Sequence, residues 1–468
     1  MILTKKVNYP LYIKKITILL LTLTLFMSGC KGNGPSPANP VTLTLWHNFG
    51  GQMQTTMDSL VDDFNKTVGK ENGILLNVTS ITDSATIKEK LAMIAAEDPG
   101  APEMPDIATC YPQTAVLLES KDLLANIDGY FTQKELKAYL PGFLNEGIID
   151  GGLYVFPFAK STEVLFVNQT LFSEFSEATG VKIDQLATFE GIAAASRKYY
   201  QWTDEKTPDI TGDGKSFYTA DSPFNIAQVG MAQLGDNLIE NQRLQLDSEA
   251  YQRIWSCFLE PAIKGGFEIY QGYSSDLAKT GEIVCSTGST AGILFYGNNI
   301  TYPDNTTRQV EYTILPYPTF ADGEKIAMQR GSGMIVAKST PLKEKAAAIF
   351  LKWFTAPVQN MKFVASTGYL PVTHEAFENS ISNEIGSIDN ENIRKLLTAA
   401  ITMYKDFDFY IPPVFDEFDS LSKKYENDII QAAEVARAKY ILLQKLTDPD
   451  HTYTQAIAGV YEAFVAGR

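Results

Sequence analysis

Histidine is almost missing from this sequence, with three in 468 residues. Zinc hydrolysis and triad catalysis both rest on imidazole, so neither finds much material here. His374-Glu375 is followed by no second histidine at zinc-helix spacing, and no nucleophile elbow is present. Cysteine is as sparse: Cys30, Cys110, Cys257 and Cys285. The last three lie too far apart for a disulfide framework, although a single bridge stays open; they read as small buried hydrophobes. Basic residues are outnumbered, 39 against 55 acidic ones, for a net charge of −16. That deficit argues against a nucleic-acid partner, whose phosphates demand a basic face. One long apolar run occurs and no second, so no further segment is a candidate for a spanning helix.

That single run opens the chain. Lys5, Lys6, Lys14 and Lys15 precede it, it extends for twelve residues from Ile16 to Met27, and it ends at Ser28-Gly29-Cys30. A spanning helix needs about 20 apolar residues, so the layout is that of an export signal. Segment 1–29 resembles a lipoprotein signal peptide, in which Cys30 is lipidated and becomes the first mature residue. Met27 departs from the leucine usual there, and ordinary secretion is the alternative. Residues 30–40, rich in Gly, Pro and Ser, are expected to form a flexible tether. Without the leader's four lysines, the remaining 439 residues carry −20 and have the length for two or three domains.

The body reads as strands alternating with helices. Val41–Trp46 alternates as a half-buried strand, and Met57, Leu60, Val61 and Phe64 then mark one face of a helix. Further strands are expected at 74–78 and 105–109, with helices at 85–96 and 115–118 between and after them. This rhythm belongs to a parallel sheet with helices on its faces, whose ligands sit beyond the carboxyl ends of the strands. Those ends deliver Trp46, His47 and Asn48, then the Thr82-Asp83 region, then Tyr111. Residues 153–167 suggest a crossing between two bodies. Short strands are expected at 282–286, 310–315 and 334–337, a helix at 343–354, and a mostly helical end.

Six motifs in order carry a resemblance: "LTLWHNFGG" at 43–51, "MPDIATC" at 104–110, "FPFAKSTEVLFVN" at 156–168, "GSTAG" at 288–292, "GSGMIVAKST" with "KEKAAAIFLKWFTAPVQ" at 331–359, and "STGYLPVT" at 366–373. They are similar to the extracellular solute-binding proteins of family 1, the sugar receptors of ABC importers, and within it to the glycerol-phosphate and oligosaccharide branch. The resemblance implies an α/β type II periplasmic-binding-protein fold: two lobes, a three-crossing hinge and a helical C-terminal region. It places lobe 1 at 41–158 and 332–380, and lobe 2 at 159–331 and 381–468. It also implies a carbohydrate in the cleft, a membrane permease as partner, no cofactor and no catalysis.

On that fold the expected ligand contacts are Trp46 and Tyr369 as stacking faces. His47, Asn48, Asp83, Tyr111, Ser161, Glu163, Ser289 and Thr290 would meet hydroxyls, and Gly331-Ser332 would allow close backbone approach. The resemblance brings "KDFDFYIPP" at 405–413 near the cleft, with Phe409 as a further ring. Competing structural roles are core packing for Trp46, Tyr369 and Trp255, and a hinge ion pair for Glu163. Asp209, Thr211, Asp213 and Gly214 imitate the start of a calcium loop, but its twelfth position holds Ala220 where a glutamate is needed, so a plain turn is expected and no metal. A glycosidase would need two carboxylates flanking the cleft, and Asp83 and Glu163 sit on separate segments. Few cations fall in these segments, Lys160 and Arg330, which favours an uncharged sugar over a glycerol phosphate.

Overall fold

The first strand shows how the fold begins. In β1 (Val41–His47), Val41, Leu43, Leu45 and His47 point to one side and are buried, while Thr42 and Thr44 face out. The buried side receives the helix Gly51–Lys66 through Met57, Leu60, Val61 and Phe64, the four positions its periodicity marks. β2 (Ile74–Ser80) runs parallel to β1 from Val41↔Ile74 to His47↔Ser80, and β3 (Ile107–Cys110) lies parallel on the other edge. The opposite face is covered by the helices Ser84–Ala95 and Pro112–Glu119, where Ile87, Leu91, Ala115 and Leu118 pack with Ala108 and Cys110. This computed structural model describes residues 34–467 except 82, 211 and 445–448, so the export segment and Cys30 lie outside the described residues.

A second sheet is built on β4 (Ser161–Asn168), all eight residues of which are buried. One edge pairs antiparallel with β6 (Cys285–Ser289), which carries β5 (Tyr218–Ala220) in parallel beyond it. The other edge is shared by β7 (Tyr312–Leu315) and β8 (Ile326–Arg330), and β10 (Asp408–Tyr410) lies parallel to β8. β9 (Gly333–Val336) returns to the first sheet, antiparallel to β3, completing the order β9-β3-β1-β2. The helix Pro223–Gln233 packs against β8, and the helices Glu249–Lys264 and Phe418–Leu443 pack on it and on each other. Trp255 belongs to that packing, buried against Tyr461 and Phe464. Cys110 and Cys285 are buried free thiols and Cys257 is a half-buried one.

Where the chain passes between the sheets, its segments are stapled to each other. Phe156 and Met334 exchange two backbone hydrogen bonds of 2.8 Å, and Lys160 and Leu370 exchange another pair. Gly331 has φ of 96°, and a Cβ there would lie 3.1 Å from the Ser161 amide nitrogen, so only glycine fits. The buried Lys160 ammonium donates to the Gly331 carbonyl and pairs with Glu146 at 2.6 Å.

The tether departs from expectation in its last part. Ser36 and Asn39 close a turn with two backbone hydrogen bonds, and that turn lies directly on Gly73, where a Cβ would meet the Ser36 carbonyl. Prolines on both sides stiffen the segment, and the bare Gly73 backbone leaves room for it.

Candidate functional site

A cavity of about 330 Å³ opens between the two sheets' lobes. One wall comes from the first lobe: Ser84, Lys88, Tyr111, Gln113 and Thr114, at the starts of the two helices that follow β2 and β3. The other wall holds Asn225 and Gln228 on the helix Pro223–Gln233, Gln329, Arg330 and Gly331 at the end of β8, and Pro412, Val414 and Asp419. Lys88 and Asp419 form an ion pair from lobe to lobe across the opening.

Tyr111 is the exposed aromatic of this cavity, 44% exposed beside the buried Phe224 and Phe418, and it is followed at once by Pro112, which starts the helix with its fixed φ. Burial raises its pKa, Arg330 opposes and Glu146 adds to the rise, so the phenol is protonated at neutral pH. Tyr369 and Tyr273 lie within electrostatic reach of it. Tyr369 is half-buried and meets the Phe49 ring edge-on at 5.9 Å, while Tyr273 is 76% exposed. A narrow recess behind Tyr111 is lined by Asn48, Thr109 and Ser332, with Thr109 Oγ1 donating to Asn48 Oδ1 at 2.9 Å.

Other expected contacts are placed elsewhere. His47 is fully buried on the opposite face of β1, stacked on Phe49, because neighbouring strand residues alternate sides. Burial holds its pKa below the ordinary histidine value despite Asp58, 4.0 Å from Nε2, so the ring is neutral. Trp46 packs half-buried on the cluster of Ile87, Leu91 and Ala108 and is not part of the cavity wall. Asp83 is spent as the cap of the helix Ser84–Ala95, accepting from the Thr86 amide at 2.8 Å. Ser289 caps the turn after β6, and Thr290, fully buried, accepts from the Thr162 amide. Ser161 is buried within the sheet opposite Arg330, and Phe409 is half-buried beside Phe143, 6.5 Å away. The loop after the helix Phe189–Asp204 is tied by Asp204, whose Oδ1 accepts from the Gly212 and Asp213 amides, and Asp213 accepts from Thr207. Thr211 lies outside the described residues, and among those described no three acidic, histidine or cysteine side chains gather as a metal would need.

Glu163 is the buried partner in an ion pair. Arg330 Nη1 donates to its Oε1 at 2.9 Å and Asn225 donates at 2.6 Å. Burial raises the Glu163 pKa, against Arg330 and the Asn225 bond, which pull it down. The other charges on the cavity wall are matched too: Lys88 with Asp419, and Glu146 with Lys160 and Gln329.

The family model for bacterial extracellular solute-binding proteins matches residues 59–387, most of the chain. The chain belongs to this family. No curated protein matches it. Among solved structures, the cyclic alpha-maltosyl-1,6-maltose binding protein from Arthrobacter globiformis superposes with a TM-score of 0.66 at 18% identity, covering 91% of this chain and 100% of the other. Maltose-bound MalE3 from T. maritima gives 0.64 at 13%, covering 91% and 100%. UgpB from Mycobacterium tuberculosis, in complex with glycerophosphocholine, gives 0.63 at 17%, covering 93% and 99%. The fold of this solute-binding protein is therefore that of two α/β lobes around a cleft, as the motifs implied.

The sequence did not single out Lys88, Gln113, Asn225, Gln228, Gln329 or Tyr273. The solute-binding protein gathers the first five only by folding, through the β4–β8 register and the approach of two helices. Tyr273 had a signal of its own, an aromatic just before the helix Ser274–Thr280 in a polar stretch.

Proposed function

We propose that this solute-binding protein is the extracytoplasmic receptor of an ABC importer, that it closes on an uncharged carbohydrate, and that a lipid on Cys30 holds it at the membrane. The observation that carries the ligand class is the wall of the interlobe cavity. It offers a phenol ring, hydroxyls and carboxamides, while every formal charge on it is already matched. Sugar rings stack on aromatic faces, and their hydroxyls need convergent donors and acceptors. A phosphate would have to take Arg330 from the buried Glu163, or Lys88 from Asp419, and no unmatched cation waits for it on that wall. Contacts from both lobes favour the closed form, which a permease can read. The carboxylates of the wall, Glu146 and Asp419, are ion-paired, which supports binding over glycoside hydrolysis.

Calorimetry with maltose, a short oligosaccharide panel, glycerol 3-phosphate and glycerophosphocholine tests the ligand class. Micromolar binding of a neutral sugar is expected; binding of the phosphates alone would overturn the reading. Tyr111→Ala should weaken sugar binding by about 1 to 3 kcal/mol. The melting temperature of the free protein should hardly move, because the ring is 44% exposed. For the anchor, Cys30→Ala should release the protein into the aqueous phase of a detergent partition with loss of the lipid mass. A membrane-bound product of unchanged mass would rule the lipid out.

A further inference from the structure

Two glutamines on the second lobe's side of the cavity carry oxygens without donors. Gln228 is 1% and Gln329 2% exposed, both line the cavity, and the Oε1 of each is buried with no hydrogen-bond partner among the described residues. Buried acceptors are normally paired, so two unpaired ones on one wall are conspicuous. For Gln329 the orientation is forced. Its amide nitrogen donates to the Gly142 carbonyl at 3.3 Å and to the Glu146 carboxylate, and both are pure acceptors. Turning the amide over would set oxygen against two oxygens. Glu146 is itself held by Lys160 at 2.6 Å, which keeps its carboxylate in place as an acceptor for the amide nitrogen.

We propose that Gln228 and Gln329 are the residues that set this site's specificity, by accepting hydrogen bonds from two ligand hydroxyls. The proposal rests on the carbohydrate reading of the cavity and goes further, naming the direction of two bonds. A hydroxyl both donates and accepts; an ether, a fluorine, a carboxylate or a phosphate ester oxygen only accepts. At the positions facing these two oxygens the site therefore takes a hydroxyl and rejects acceptor-only groups of similar size. Without ligand the two buried oxygens lack donors, and a ligand that reaches and supplies them gains twice, from the new bond and from ending an unpaired burial.

The test uses the full exported chain, with maltose, trehalose and raffinose as probes and the monodeoxyfluoro derivatives of whichever binds. Fluorination at two ring positions should weaken wild-type binding about 10-fold to 100-fold. In Gln228→Met, a near-isostere without the acceptor, one of those penalties should fall below about 3-fold while the other stays. Equal penalties in the wild type and the variant at every position would overturn the proposal. The melting temperature of free Gln228→Met should be unchanged or higher, since an unpaired acceptor is gone. A drop of more than about 5 °C would show that the amide serves the fold and would overturn it as well. Should none of the three sugars bind, the carbohydrate reading fails, and the melting temperature of free Gln228→Met still judges the unpaired acceptor.

Discussion

Lys160→Met lowers the stability of the free protein by roughly 3 to 5 kcal/mol, the largest single-residue effect expected in this molecule. The lysine side chain is 3% exposed and its partner Glu146 11%, with 2.6 Å between the charges. Removing the ammonium strands a carboxylate that burial has separated from water, and leaves the Gly331 carbonyl without its donor. The loss is one of an uncompensated charge, not of the pair's net value. The double variant Lys160→Met/Glu146→Met should therefore recover more than half of it. Urea unfolding followed by circular dichroism measures both. A single variant within about 1 kcal/mol of wild type would mean that water reaches Glu146 and that the staple is not what fixes these crossings.

Arg330→Gln should show its effect through pH. Burial already raises the Glu163 pKa above the ordinary carboxylate range, with Arg330 as the main opposing influence. Without the guanidinium the shift grows. A carboxyl whose folded pKa is raised contributes stability that is complete below the unfolded pKa and is lost as pH rises through the folded one. The variant is therefore most destabilised near pH 7, by about 3 kcal/mol, and approaches wild type as pH falls toward 4. Melting curves of both proteins between pH 4 and 8 give the answer. A stability gap that stayed constant or widened on acidification would show that Glu163 remains charged, held by Asn225 alone.

The strand Val41–His47 and the helix Gly51–Lys66 were legible because each buries one face, which stamps a period of two and then of 3.6 on the chain. The strands Tyr218–Ala220, Ile326–Arg330 and Asp408–Tyr410 were not, since three to five residues carry no readable period and form only by pairing with β6, β4 or each other. The expected contacts that lie away from the cavity each have a local reason. Treating Trp46, His47 and Asn48 as a common rim ignored the strand's own alternation, which sends His47 inward. Asp83, Ser289 and Thr290 are residue types that also satisfy backbone amides, and here they do so. Glu163 took the ion-pair role weighed for it. Its partner sits 167 positions away, reachable only through the register of β4 with β8.

If Cys30 carries the proposed lipid, the turn at Ser36–Asn39 sets how far the body could stray from a bilayer. With this turn docked on Gly73, a lipid on Cys30 would be joined to the folded body by a leash of six residues, at most about 20 Å when fully drawn out. The turn runs through Pro40 straight into β1, so the leash would hang from the lobe of the first sheet. So anchored, that lobe would be berthed beside the lipid headgroups, and opening and closing would become movements of the other lobe alone. A permease waiting in the same membrane would then meet one docked surface that is always present and one that arrives only with cargo.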